Sequence, residues 1–385
     1  MSRLPFPANG PSRRTVLAGM GCAAWTGLLS RWSWGDIAPA ARKATAKNVI
    51  LIFNCGAPSH IDIWDPKPSA PEGIRGPFRP IQTSVSGLEV SELIPDLAKR
   101  MHQLALLRTV SHGHSQHNAG MYWSIVGRPY PIDSTLINPG NTEYPCFGTL
   151  VNWLAQRDGL TAGGLPPYVI TPKPSSDGPY ITPGQYGACL GKKCDPFVLN
   201  ADPNLADFEI HDLQTPDGIT PGRVQSRRQL LQSLDRSTHS GISEAYRDVD
   251  VQRGKALSMM QSDQARQAFD LSQEKPELRD RYGRNSWGQS HLLARRLVQS
   301  GVKFVTTVNG PGITWDTHKD NFNRLQNRLV PQMQQAFVAL LDDLTERNML
   351  DSTLVVWMGD FGRSPTINKD AGRDHWPDCY SMVLA

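Results

Sequence analysis

Six short runs rich in valine, isoleucine and leucine punctuate the chain, at residues 48–53, 104–110, 168–171, 302–308, 353–358 and 381–384. The stretches between them carry apolar residues at three- and four-residue spacing, most clearly at 147–157, 286–299 and 321–347. Short β-branched runs read as strands and the longer stripes as amphipathic helices. Their alternation predicts an α/β fold with a doubly wound, mostly parallel sheet and helices on both faces. Pro331 falls inside the last stripe and is expected to kink that helix. In such sheets ligands bind beyond the carboxyl ends of the strands.

The chemistry-bearing residues gather there. Six of the ten histidines lie in a few short segments, several directly after a strand-like run. The segment after 48–53 carries His60 and Asp62, and the one after 104–110 carries Ser111, His112, His114, Ser115 and His117. Beyond 302–308 come Asp316, His318 and Asp320; beyond 353–358 come Asp360 and Arg363, then Asp374 and His375. Carboxylates and imidazoles delivered to one sheet edge suit a divalent metal, with zinc, calcium and manganese all compatible. The candidate metal ligands are Asp316, His318, Asp360, His375, His60 and Asp62. Ser115 is the first candidate nucleophile and Ser111 the second, since a hydroxyl at a helix N-terminus beside a metal is acidified. His114 and His117 are candidate ligands or general acids. Arg363 suits either an anionic substrate oxygen or a structural carboxylate. The same residue types also serve caps and turns, and Asp320 is expected to cap the helix beginning at 321.

The ends and the composition narrow the class. Ser12-Arg13-Arg14-Thr15-Val16-Leu17 precedes a mildly apolar run at 16–29 and a small-residue stretch, Ala38-Pro39-Ala40. That order predicts a Tat signal peptide over residues 1–40, removed on export to the periplasm or beyond, with the Tat machinery as a partner; a basic tail is the competing reading. Without residues 1–40 the chain has 36 basic and 35 acidic residues, and no basic stripe with interleaved aromatics marks nucleic-acid binding. Nothing after residue 40 is long and apolar enough for a stable membrane span. Five cysteines remain there, too few and too odd in number for a disulfide scaffold; Cys189 and Cys194 suit either a disulfide or two loop thiols. Residues 41–385 are expected to form one α/β domain. Within it, 65–95 and 130–146 read as proline- and glycine-rich loops over the site, and 222–282 as a polar helical insertion. The final residues read as an unfinished strand, which predicts a fragment of a longer product. A serine elbow, a phosphate-binding loop, a dinucleotide glycine turn and a Cys-x-x-Cys pair are all absent from the sequence.

Gly56-Ala-Pro-Ser-His-Ile-Asp62, Asp65-Pro-Lys-Pro68, His114-Ser-Gln-His117, Trp315-Asp-Thr-His318, Gly359-Asp-Phe-Gly-Arg-Ser-Pro365 and Gly372-Arg-Asp-His-Trp-Pro377 together resemble the exported bacterial proteins grouped as domain of unknown function 1501. That family is similar to the alkaline phosphatase and sulfatase superfamily. The resemblance implies an alkaline-phosphatase-like fold, metal-dependent hydrolysis of phosphate or sulfate esters, and a missing C-terminal part. By position, Asp360 resembles the aspartate of the superfamily's Asp-His metal pair, with Phe361 where the histidine would stand. His375 resembles the later metal histidine, and Asp316 and His318 the other metal site. The region from His114 to Asn118, ahead of Gly127-Arg128-Pro129, resembles the nucleophile region. Asn54 and Cys55 replace the paired aspartate after the first strand, and the sulfatase Cys-x-Pro-x-Arg signature is absent. The expected function is therefore an exported metal-dependent hydrolase of small-molecule or polysaccharide esters. The alternative is a non-catalytic binding or assembly protein that keeps the fold.

Overall fold

The computed structural model describes residues 44–385, apart from 161, 162, 207, 209, 311 and most of 211–253. The expected signal peptide and much of the 222–282 insertion lie outside the described residues.

Seven strands make the central sheet: β1 (Asn48–Asn54), β2 (Ala105–Val110), β3 (Tyr168–Thr171), β4 (Phe197–Val198), β5 (Phe304–Asn309), β6 (Thr353–Gly359) and β7 (Tyr380–Leu384). Their order across the sheet is β2-β7-β6-β1-β5-β3-β4. β1 pairs in parallel with both β5 and β6, and β3 pairs in parallel with β5 and β4. Only β7 runs against its neighbours, wedged between β6 and β2. The sheet is thus mixed but mostly parallel, as the strand-helix alternation predicts.

β1 shows why both faces must be covered. Ile50 and Ile52 point into one apolar cluster, and Leu51 and Phe53 into a second on the opposite face. Continuous burial of this kind marks a strand between helical layers. The helices used below are α1 (His60–Ile63), α2 (His117–Val126), α3 (Phe147–Arg157), α4 (Asp263–Phe269), α5 (Pro276–Tyr282), α6 (Ser286–Gln299), α7 (Asn321–Arg324) and α8 (Val330–Glu346); single turns at Glu72–Arg75 and Pro95–Ala98 flank the ribbon of segment 65–95. Leu292, Leu293 and Leu297 of α6 and Phe337, Leu340 and Leu341 of α8 fill the first cluster; Met121, Tyr122 and Ile125 of α2 fill the second.

A π-turn, Leu325–Leu329, joins α7 to α8. It lies immediately before Pro331, whose missing N–H would otherwise leave a gap in the hydrogen-bond ladder. Segment 65–95 departs from the all-loop expectation. It contains a two-stranded ribbon, Pro80–Gln82 with Glu89–Ser91, whose Val90 is buried in the first cluster. Segment 130–146 contains no helix or strand and folds over the start of α2: Asp133 accepts hydrogen bonds from the Ser115 and Gln116 amides. The described end of the 222–282 region is helical, as expected. Cys189 and Cys194 are not joined in a disulfide.

The strands that matter for function end together. Asn54, Asn309 and Gly359 are in register at the ends of β1, β5 and β6. Asn54 donates to the Met358 carbonyl at 2.9 Å and accepts from Asn309 at 3.1 Å, which ties the three ends side by side.

Candidate metal centre

The carboxylate of Asp360 sits just past β6, fully buried, and is held by the turn after β1. The Gly56 and Ala57 amides donate to it at 3.0 and 2.9 Å. Gly56 is required there: it has φ of +102°, and a Cβ would lie 2.5 Å from the Asp316 amide nitrogen. The β1 turn is therefore clamped between Asp360 and the loop that carries Asp316.

That loop follows β5. The Trp315 ring stacks on Trp287 of α6 at 5.6 Å, and Arg324 of α7 donates to the Thr314 and Asp316 carbonyls. Asp316 is thereby presented with its carboxylate toward α2. His117, in the first turn of α2, faces it with Nε2 3.6 Å from Asp316 Oδ1. His318 brings its Nε2 to 3.2 Å of the same oxygen. His375 brings its Nε2 to 3.4 Å from a ribbon, Gly362–Arg363 with His375–Trp376, that follows β6. The His318 and His375 Nε2 atoms are 2.9 Å apart.

The other ring nitrogen of each histidine is committed. His117 Nδ1 meets Asp360 Oδ2 at 2.6 Å, His318 Nδ1 meets Asp374 at 2.8 Å, and His375 Nδ1 meets the Ser115 carbonyl at 2.6 Å. Carboxylates and carbonyls only accept, so each Nδ1 carries the proton and donates. Three Nε2 lone pairs then face one carboxylate oxygen that also accepts from the Arg363 guanidinium, and their crowding favours a proton or a metal ion among them. His117 Nε2 is buried and has no hydrogen-bond partner. Ligand atoms of His117, Asp316 and His375 all lie within 4.8 Å of one another, and His318 stands at the solvent edge of the group. A donor set of two imidazoles and one carboxylate fits a divalent transition metal, and the partners behind the rings are of the kind that orient metal-binding histidines.

The electrostatics agree. Burial opposes charge on His117, yet the Asp316 and Asp360 carboxylates reverse this and push it up to about 9. Burial likewise opposes ionisation of Asp316, but His117, His375 and the Arg363 guanidinium hold it well below the usual carboxylate range. The pocket therefore favours a positive charge, whether as a proton on His117 or as a metal ion in its place. His318 is 40 % exposed and His117 only 4 %, so the cluster opens to solvent on the His318 side.

The remaining sequence candidates fall around this centre rather than in it. Asp62 is fully buried against the Arg373 guanidinium, which donates to both its oxygens at 2.7 and 2.8 Å; Ser59 and Asn321 take the rest of its capacity. His60 lies under the His375 ribbon, with Nδ1 3.4 Å from the Arg363 amide, and burial lowers its pKa to about 4. Arg363 is fully buried, and its guanidinium donates to the Gly56, Ala57 and Arg373 carbonyls and to Asp316. Those four contacts hold Asp316 in place and leave Arg363 no face toward an entering ligand. Ser115 Oγ donates to Asp133 at 3.0 Å, and His114 Nε2 donates to the Tyr130 carbonyl. Asp320 does not cap α7 with its side chain, and it stands in the left-handed region.

Ser124 and Arg373 have no role in the sequence reading, and His112, read with its neighbours as a ligand or general acid, is instead a hydrogen-bond donor to the turn. His112 Nε2 donates to the Asp360 carbonyl at 2.6 Å, Ser124 Oγ donates to the same carbonyl, and Arg373 neutralises Asp62. His112 and Arg373 lie within the clustered segments and were discoverable there; Ser124 lies mid-helix, with no local signal.

A mostly parallel α/β sheet with a His₃Asp cluster beyond its strand ends defines the class. The chain belongs to the family described as "Protein of unknown function (DUF1501)", whose match spans residues 46–385. No curated protein sequence matches it. Among solved structures it is similar to Ps i-CgsB, with 13% identity, TM-score 0.39, and 88% of this chain against 65% of that one. It therefore spans about two thirds of that protein's length. It is also similar to alkaline phosphatase from the Antarctic bacterium TAB5 (13% identity, TM-score 0.36, 89% of this chain and 92% of that one). A third similar structure is the lipoteichoic acid synthase LtaP from Listeria monocytogenes (10%, TM-score 0.33, 89% and 65%).

Proposed function

We propose that this protein is an exported, divalent-metal-dependent hydrolase of phosphate or sulfate esters. The observation that carries the reading is the convergence of the His117, His318 and His375 Nε2 atoms on Asp316 Oδ1, each ring pinned through Nδ1. His117, Asp316 and His375 would hold a divalent ion, with His318 beside them, and that ion would supply positive charge against an ester oxygen. Asp360, Asp374 and the Ser115 carbonyl fix the ring orientations, and Arg363 fixes Asp316. Entry is from the His318 side, where the cluster meets solvent. The attacking group is Ser115, whose Oγ donates to Asp133, or a water at the centre. The expected substrates are small-molecule or polysaccharide esters. Export rests on the Arg13-Arg14 pattern; among the described residues no helix is long and apolar enough to cross a membrane.

The test is metal content by elemental mass spectrometry on protein purified without chelators, followed by aryl phosphate and aryl sulfate turnover. About one ion per chain, lost in His375→Ala, together with turnover, is the expected result. A folded protein with no metal, or with metal unchanged in His375→Ala, overturns it. A second reading, metal binding without catalysis, is favoured by Phe361. Its ring packs 5.1 Å from His117 and 4.8 Å from His375, filling one side of the cluster with hydrocarbon. Stoichiometric metal with no ester turnover would select that reading.

A further inference from the structure

Residues 66–80 read Pro-Lys-Pro-Ser-Ala-Pro-Glu-Gly-Ile-Arg-Gly-Pro-Phe-Arg-Pro. Such density of proline fixes the backbone before any ligand arrives. The segment folds around a cavity of about 290 Å³, walled by Pro66, Pro68, Pro77 and Phe78 and edged by Lys67, Arg75 and Arg79 against the single carboxylate Glu72. Lys67 is paired with Asp65 at 2.7 Å. Arg75, Arg79 and Glu72 have no ion-pair partner among the described residues, and both arginines are exposed. The pocket is therefore lined by two arginines without an ion-pair partner, beside four prolines and Phe78.

Its floor is also built. Gly76 has φ of +70°, and a Cβ there would lie 3.0 Å from the Phe322 ring and 3.1 Å from Asp62 Oδ1. Arg373 donates to the Ile74 carbonyl, and the Ile367 amide to the Gly73 carbonyl. The cavity is thus packed onto the loop that leads into His375, but shares no residue with the metal centre.

We propose that this pocket is a second binding site, for a sugar that bears a sulfate or phosphate group. Guanidiniums recognise tetrahedral oxyanions by paired donors. A volume near 300 Å³ is at the lower end for small-molecule sites and exceeds what a bare oxyanion fills. The proline and phenylalanine wall supplies the apolar surface for the body of the ligand. The site does not depend on the hydrolase reading.

Calorimetric titration of the full chain carrying His375→Ala, which disables the proposed metal centre, tests it, with glucose 6-sulfate, glucose 6-phosphate, glucose and inorganic sulfate as probes. The charged sugars bind saturably and more weakly at high salt, glucose does not bind, and inorganic sulfate binds at least tenfold more weakly than glucose 6-sulfate. In the same background Arg75→Ala/Arg79→Ala weakens charged-sugar binding at least tenfold with an unchanged thermal melt, and Arg75→Lys/Arg79→Lys weakens it less. Absence of saturable binding, or equal binding in the alanine pair, overturns the site; inorganic sulfate binding as well as the sulfated sugar overturns the sugar assignment.

Discussion

Asp360 carries no bond to the converging Nε2 atoms, yet it sets the tautomer of His117. Its carboxylate takes the Nδ1 proton at 2.6 Å and is itself fixed by two backbone amides. Asp360→Asn keeps the shape but can present an N–H to Nδ1, which turns the ring's lone pair away from the centre. Metal affinity is expected to fall by about 10–100-fold, measured by competition with a chromogenic chelator, while the fold is kept. An unchanged affinity would show that His117 does not bind the ion. From sequence, Asp360 and His117 are both visible as polar residues beyond strands, Asp360 as a candidate ligand and His117 as a candidate ligand or general acid; in the structure Asp360 stands behind the His117 ring. Local sequence cannot separate a ligand from the group that orients it, because that depends on which atoms meet across 243 residues.

A histidine outside the centre adds to the acid sensitivity that buried His60 also confers. His291 lies inside α6, fully buried, with Nδ1 donating to the Trp287 carbonyl at 2.7 Å, and burial lowers its pKa to about 4. Its ordinary value is near 6.5, so between pH 6.5 and 4 the unfolded chain holds the proton that the folded chain refuses. Its contribution is therefore complete above pH 6.5 and is lost as pH falls toward 4, with a total of about 3 kcal/mol. His291→Asn is expected to flatten the melting-temperature profile across that window. An identical profile in the variant would rule His291 out as a source.

At the scale of elements, the turn after β1 is the joint on which the centre depends. Gly56 is the contact point between the Asp360 carboxylate and the Asp316 loop, with left-handed backbone and no room for a Cβ. Gly56→Ala is expected to cost more than about 1 kcal/mol in denaturant unfolding and to lower metal content as the two loops part. Normal metal content in a destabilised variant would separate the turn from the centre. Six of the seven strands, helices α3 and α6, and the α7–α8 run are legible in the sequence because period and burial agree there: β1 is apolar on both faces, and α8 buries one stripe. The two-residue β4 is too short to leave a pattern. The ribbon in 65–95 was not legible. Its three-residue strands are half-buried and flanked by proline, so neither alternation nor length marks them. Asp62 misled for a related reason. Its position beyond β1 matches a ligand, but its partner Arg373 is 311 residues away and neutralises it.

At the scale of the whole molecule, the centre joins three separate parts of the chain: α2 after β2, the loop after β5, and the ribbon after β6. A ligand that binds only when those parts are assembled stabilises the fold by mass action. Ion present at about a thousand times its dissociation constant adds about 4 kcal/mol. With an unfolding entropy of about 2.1 cal/mol/K per residue over the matched 46–385 region, that corresponds to about 6 °C in melting temperature. Chelation should lower the wild-type melting temperature by that order and restore it on adding back zinc or manganese. His375→Ala, lacking one arm, should melt near the chelated wild type and should not respond to chelator. If the wild type is equally indifferent to chelator, the three imidazoles do not hold an ion, and the repulsion among their lone pairs is relieved by the proton on His117 alone. In that case, raising the pH through about 9 should release that proton and destabilise the folded protein, because a group whose folded pKa is raised gives up its contribution as pH climbs past it. The two accounts thus diverge in one pair of melts, one with chelator at neutral pH and one without it above pH 9.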